Sequence, residues 1–187
     1  MTNQVLAALL ALTAASHAAA SPEPSIPLRE LYAEARIVAV VEVIEGRVVA
    51  ADGESCGARY KGRVIEGTKG ATVSQVIEFG FAPSLKIGSK YFVLLAAYEN
   101  VRLDRYPEFH PRCKSLLPDL AMVGIWRGAM EVTTSIEGPT RRDAWTVRPA
   151  NLVEYPIGTR SKEVDGRRQL VFTDMVTRMK DGSPAPR

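Results

Sequence analysis

The apolar positions of this chain change period several times, and each change predicts an element. Residues 1–20 carry no Asp, Glu, Lys or Arg, and Val5 to Leu12 is an unbroken apolar run. Small residues follow, ending in Ala18-Ala19-Ala20 ahead of Ser21-Pro22. That order predicts a signal peptide over 1–20, cleaved between Ala20 and Ser21. The run is too short for the roughly 20 residues a bilayer demands. A buried N-terminal helix is the competing reading, but such a helix needs a polar face that this stretch lacks. The n-region is atypical, with the Met1 amine as its only positive charge. No cysteine stands near the cleavage point to take a lipid, and no later stretch reaches transmembrane length. The expected product is an exported protein, periplasmic or secreted, that does not span a membrane.

Residues 21–27 hold three prolines and read as an extended leader. Leu28, Leu31, Tyr32 and Ala35 share one side of a short helix. The period then falls to two. Ile37 to Ile44 is β-branched and apolar on both faces at first, which predicts a strand whose first half is covered on both sides. Gly53 and Gly57 are expected to flank a turn carrying Cys56. Tyr60 to Glu66 reads as a second strand, stopped by Gly67-Thr68-Lys69-Gly70. Thr72 to Phe81 reads as a third, with Val73, Gln75, Ile77 and Phe79 on one face. After a turn over Pro83 to Ser89, Lys90 to Tyr98 is the next strongly apolar strand. Glu99 to Pro118 has three prolines and no period, so a long loop carrying Cys113 is expected. Ala121 to Ser135 and Ala144 to Tyr155 form a last pair of strands around a polar turn. Leu170 to Lys180 sets Phe172, Met175, Val176 and Met179 along one helical stripe, and 181–187 is expected to be a disordered tail.

Short strands with glycine-marked turns, one helix before and one after, make the fold class mainly β. The architecture expected is a small closed or nearly closed β-barrel in one domain over 28–180, with an open sandwich as the alternative. A length of 187 residues suits such a domain. The net charge of +3 is too weak to argue for nucleic acid. Residues 141–187 hold ten Lys and Arg against six acids, a skew that a solvated surface explains.

Four stretches, in order, carry a resemblance: Leu31-Tyr32-Ala33-Glu34-Ala35-Arg36-Ile37-Val38, Cys56-Gly57-Ala58-Arg59-Tyr60, Thr68-Lys69-Gly70, and Ile87-Gly88-Ser89-Lys90-Tyr91-Phe92-Val93-Leu94-Leu95. Over 28–134 the chain resembles the netrin-like domains, including bacterial secreted relatives of the tissue inhibitors of metalloproteinases. The resemblance implies an OB-like five-stranded barrel with flanking helices and leaves the C-terminal third without a counterpart. The inhibitory chemistry of that family does not transfer. It uses a free N-terminal cysteine on the target's zinc, whereas the mature chain here would begin Ser21-Pro22, with no cysteine before Cys56.

Export changes the reading of the only two cysteines, Cys56 and Cys113, because an oxidising compartment favours joining them. The alternatives are two free thiols, or a metal site with His110, though such a site lacks a fourth protein ligand. No Cys-x-x-Cys, Gly-x-Ser-x-Gly or Walker-type loop is present. His110 is the one histidine left after cleavage, too few for a histidine-centred triad without further support. Glu42, Glu45, Glu66 and Glu78 fall near strand ends, and their spacing points to no shared pocket.

The stretch from Tyr98 to Lys114 stands out. It interleaves Tyr98, Tyr106 and Phe109 with Arg102, Arg105, His110 and Arg112, a mixture typical of interface hot spots. The bland account is that the aromatics pack on the barrel while the arginines reach water. The functional expectation is an exported, monomeric, non-enzymatic binding module of the cell envelope. It needs no cofactor, and its ligand is a protein or another envelope component. The alternatives are loop-mediated inhibition of an exported protease, and a thiol- or metal-dependent protein using Cys56, Cys113 and His110. Intact-mass measurement of the exported protein should give a chain starting at Ser21 that resists alkylation until reduced. Two alkylatable thiols in the native protein would overturn the disulfide.

Overall fold

A computed structural model describes residues 24–81, 84–98, 111–134 and 144–181. Ala20, Ser21, the 136–143 turn and the last six residues lie outside the described residues. The elements run β1 (Ile26–Pro27), α1 (Leu28–Glu34), β2 (Ile37–Ala51), β3 (Glu54–Lys69), β4 (Val76–Phe81), β5 (Lys90–Ala97) and α2 (Pro111–Leu116). They continue with β6 (Leu120–Met122), a 3-10 turn (Ile125–Gly128), β7 (Ala129–Thr134), β8 (Trp145–Val147), β9 (Val153–Glu154), β10 (Ser161–Val164), β11 (Arg167–Val171) and α3 (Phe172–Asp181).

The fold is mainly β. One sheet runs β10-β11-β8-β7-β5-β2-β3-β4-β6, and β6 also pairs with β5, which closes β5-β2-β3-β4-β6 into a five-stranded barrel. The β4–β6 contact is parallel, Gly80 to Ala121, while the other barrel pairings are antiparallel. This is an OB-like barrel with a helix on either side in sequence, as expected.

Period two in β2 and β5 separates two cores. Ile37, Ala39, Val41 and Val43 point into the barrel with Tyr60, Ile77, Phe79, Val93 and Leu95. Val38, Val40, Phe92 and Leu94 point the other way, under a second layer. That layer contains Leu28 and Leu31 of α1, Trp145 of β8, and Phe172, Met175 and Met179 of α3. Phe172 meets the rings of Phe92 and Trp145 edge-on, each at 5.5 Å. The C-terminal third is therefore no appendage, because it covers the outer face of the two most apolar strands. Lys69, at the end of β3, donates to the carbonyls of Tyr32 (3.0 Å) and Ala33 (3.4 Å), closing the C-terminal end of α1. Burial pushes the Asp174 carboxyl up, but the Arg160 N–H (2.7 Å) and the Arg178 guanidinium (3.1 Å) outweigh it and hold it below the usual range.

Several boundaries depart from the sequence pattern, each for a local reason. β2 and β3 are far longer than expected because Asp52-Gly53, both at positive φ (52° and 86°), makes a tight hairpin turn. Cys56 is therefore inside β3, not in a turn. β4 starts late, since Gln75 bonds back to Thr72 (3.1 Å) and turns the chain, leaving Val73 exposed. The expected strand over 121–135 breaks into β6, a turn and β7. The strand expected over 144–155 stops at Val147. Its far end, β9, pairs in parallel with β1, so part of the leader is held in the fold. The β10–β11 hairpin had no counterpart in the sequence reading, and Asp181 ends α3 rather than starting a tail.

The sheet forks at β5. Its outer edge pairs with β7 over Lys90–Val93 and with β6 over Leu95–Ala97, and between them the Leu94 carbonyl accepts from Val123 N–H at 2.9 Å. β6 and β7 run in the same direction along this edge, so the chain must leave it after Val123 and rejoin it at Ala129 in very little space. A Cβ on Gly128 would sit 2.4 Å from the Val123 carbonyl oxygen and 2.9 Å from that of Leu94. Both obstacles are backbone and neither can swing aside. Gly128→Ala should lower the stability measured by urea denaturation by about 2 kcal/mol or more. An unchanged midpoint would mean that the fork is looser than described.

Candidate functional site

The β5–β6 connection returns to the described chain at α2, and two links hold that helix to the barrel. The first begins at a β-bulge. Val49 pairs with Gly57 and Ala50 with Ser55, so Cys56 is the extra residue of β3, beside Gly57 at φ 102°. A bulge re-aims a side chain, and this one turns Cys56 toward α2, where it is bonded to Cys113 with 5.3 Å between Cα atoms. Both cysteines are buried. The thiol or metal reading needs thiolates, and both sulfurs are consumed by the bond. Among the described residues no three His, Cys, Asp or Glu side chains converge to hold a metal ion.

The second link is Arg59. Its guanidinium donates through Nη1 to the Leu116 carbonyl at the end of α2 (3.0 Å) and through Nη2 to Glu78 Oε2 on β4 (2.8 Å). Helix ends leave carbonyls without intrahelical partners, so a cation there satisfies one of them.

Between α2 and the barrel lies a groove of about 630 Å³, with Arg36, Arg59, Glu78, Ser115, Pro118 and Asp119 in its walls. Its side chains carry both signs of charge, a lining suited to polar recognition. Beside it the outer face of β2, β3 and β4 is a charge ladder set by register. Glu45, Lys61 and Glu78 form one row, and Arg47, Arg59 and Gly80 the next. Lys61 Nζ lies 2.8 Å from Glu45 and 4.0 Å from Glu78. Sequence spacing pointed to no shared site for these carboxylates, yet Glu45 and Glu78 meet across Lys61. Glu42 instead faces Arg63, and Glu66 faces Val40. The hydrogen bond from Lys61 holds the Glu45 carboxyl below its ordinary range and the Lys61 ammonium above its own. A carboxyl lowered in this way suits ion pairing rather than general-acid work near neutrality.

The expected contact residues divide. Tyr98 is corrected: it is only 5% exposed and packs in the second core, with burial pushing its hydroxyl pKa up. Gly80 leaves room there, since a Cβ would meet Pro118 at 3.0 Å and the Tyr98 hydroxyl at 3.1 Å. Arg102, Arg105, Tyr106, Phe109 and His110 lie outside the described residues, and Arg112 belongs to α2. Sequence reasoning missed Arg59 and Lys61. The available signal was the alternation of Arg59, Lys61 and Arg63 against Tyr60, Gly62 and Val64, a strand pattern with one basic face.

Comparison with protein-family models, curated proteins and solved structures finds no match.

The disulfide closes a separation of 57 residues, which in the chain-entropy account stabilises by about 4 kcal/mol. The Cys56→Ala/Cys113→Ala protein should lose about 2–5 kcal/mol in denaturant unfolding. Hydrogen exchange at the Leu117 amide, bonded to the Cys113 carbonyl at 3.1 Å, should quicken more than at β2. Equal protection at both places would show that the bond does not hold α2.

Proposed function

We propose that this chain is an exported, non-enzymatic binding module that contacts a protein ligand of the cell envelope. The contact surface is the β5–β6 connection together with the adjoining β3–β4 face. One observation carries this reading: the Cys56–Cys113 bond and the Arg59 link fasten α2 of that connection beside the outer face of β3 and β4. Barrels of the OB type commonly take ligands on the face of their second and third strands and at the loops joining strands one to two and four to five. Here those strands are β3 and β4, and those loops are the Asp52-Gly53 turn and the β5–β6 connection.

Export is supported by the apolar run ahead of Ala20-Ser21 and by the disulfide, which oxidising compartments favour. Among the described residues no helix is long and apolar enough to cross a membrane. A protein ligand is supported by the arginines and aromatics in the sequence of the connection, residue types enriched at protein interfaces.

The test immobilises the mature protein, captures partners from the envelope fraction of producing cells, and compares three variants of native fold. Arg105→Ala/Tyr106→Ala, and separately Arg59→Ala, should weaken capture by about 30-fold, the effect of losing a hot spot near 2 kcal/mol. Arg168→Ala, on the exposed part of β11, should leave capture unchanged. Equal capture by all three variants would retire this surface.

A further inference from the structure

The turn that splits β6 from β7 presents a second surface, separated from the β5–β6 connection by β6. Gly124 and Ile125 both lie in the left-handed region, at φ 62° and 66°. Glycine accepts that conformation freely, whereas a β-branched isoleucine there is strained. The residue that follows is Trp126, 37% exposed, while the other tryptophan, Trp145, is 3% exposed in the core. The Trp126 ring is backed by the buried Arg127 guanidinium, whose carbon stands 4.9 Å from the ring centroid. A strained turn thus carries an indole that is backed from behind and left open to solvent. Strain of this kind concentrates where a side chain is held for use.

Trp126 lines a groove of about 460 Å³, within the size range of small-ligand sites. Pro149 adds apolar surface, and the polar side chains are Ser84, Lys86, Tyr91, Glu131, Arg148 and Asn151. Arg148 pairs with Glu131 at 3.1 Å, which leaves Lys86 as the surplus charge of this set. A positive surplus, together with a guanidinium already over the indole, disfavours a cationic ligand. A proline-rich peptide prefers grooves walled by several exposed aromatics, whereas among the described residues this lining holds one exposed tryptophan and a buried tyrosine, Tyr91, beside carboxylate, guanidinium and amide groups.

That mixture fits a sugar. A β-linked pyranose of gluco configuration holds its hydroxyls equatorial, so each ring face is a patch of axial C–H bonds. Such a face stacks on an indole as apolar surface, while the neighbouring hydroxyls need donors and acceptors at the rim. We infer that the Trp126 groove binds a β-linked hexopyranose chain, with one ring stacked on Trp126 and its hydroxyls bonded to Glu131, Arg148 and Asn151. The inference is independent of the function proposed above, because none of these residues belongs to the β3–β4 face or to α2.

Tryptophan emission reads the site directly, since Trp145 is buried. Titration of the full protein with cellotetraose should shift the emission saturably, with half-saturation at about millimolar concentration. Trp126→Ala should abolish the shift, and calorimetry should show affinity weakened by about tenfold or more. Asn151→Ala, at an exposed position, should keep the emission signal and weaken binding less, which serves as the test if Trp126→Ala fails to fold. A native protein showing no saturable change up to about 10 mM cellotetraose overturns the inference. So does equal calorimetric affinity in Trp126→Ala, or saturable binding of a polyproline peptide in place of the sugar.

Discussion

Strand β5 has two edges and three neighbours, and most of the architecture follows from accommodating them. Backbone N–H and C=O groups in a buried strand must be paired. One edge of β5 is filled by β2, and the other is divided between β7 and β6. The portion given to β6 closes the barrel, and the portion given to β7 continues the sheet into a second layer. A strand serving both structures is covered on both faces, which is why Tyr91 through Ala96 are all buried. It also explains the shape of the chain beyond it. β6 and β7 run in the same direction along that edge, and the six residues between them make a tight excursion that tolerates no side chain at Gly128.

The same division separates the two surfaces to which we assign binding. At the β6 end of β5 the connection into β6 carries α2, and the Cys56 bulge and Arg59 fasten it to β3 and β4. At the fork the excursion between β6 and β7 carries Trp126 outward, beside the segment that follows β8. The two links on α2 also differ in kind. The disulfide closes a long loop and acts mainly on the unfolded chain, whereas Arg59, partly exposed and shared with Glu78, orients the helix without adding much stability. Removing one should therefore not mimic removing the other.

How much of this was legible in the chain depends on whether a local pattern was also the structural reason. The continuous apolar start of β2, the apolar β5, the short α1 and the Phe172–Met175–Met179 stripe were readable because burial on both faces or along one helical stripe dictates those residues. Asp52-Gly53 was a readable hairpin signal too, but Cys56-Gly57 behind it looked like more of the turn. A bulge inside a strand and a turn use the same residue types. The break between β6 and β7 was hidden because Met122, Val123 and Ile125 keep an apolar pattern into the excursion, and the chain resumes the same edge of β5 in the same direction. The β10–β11 hairpin is mostly charged and exposed, with only its last residues buried, so no alternation marked it.

The charge ladder marks a sharper limit. Glu45 and Glu78 are 33 positions apart and meet only through Lys61, on the strand between them. Their meeting depends on a β2–β3 register interrupted by four shifts, at Val38/Ala39, Val40/Val41, Val43/Glu45 and Val49/Ala50. Each shift moves the following pairs by one residue, and an odd displacement exchanges the two faces of a strand. The bulge that carries Cys56 to Cys113 is one of these shifts. Another leaves Ile44 unpaired just before Glu45 is set opposite Lys61. The ladder and the α2 linkage are thus consequences of the same irregular pairing. Bulges are the means by which one long hairpin both lines a barrel and reaches beyond it to hold a helix.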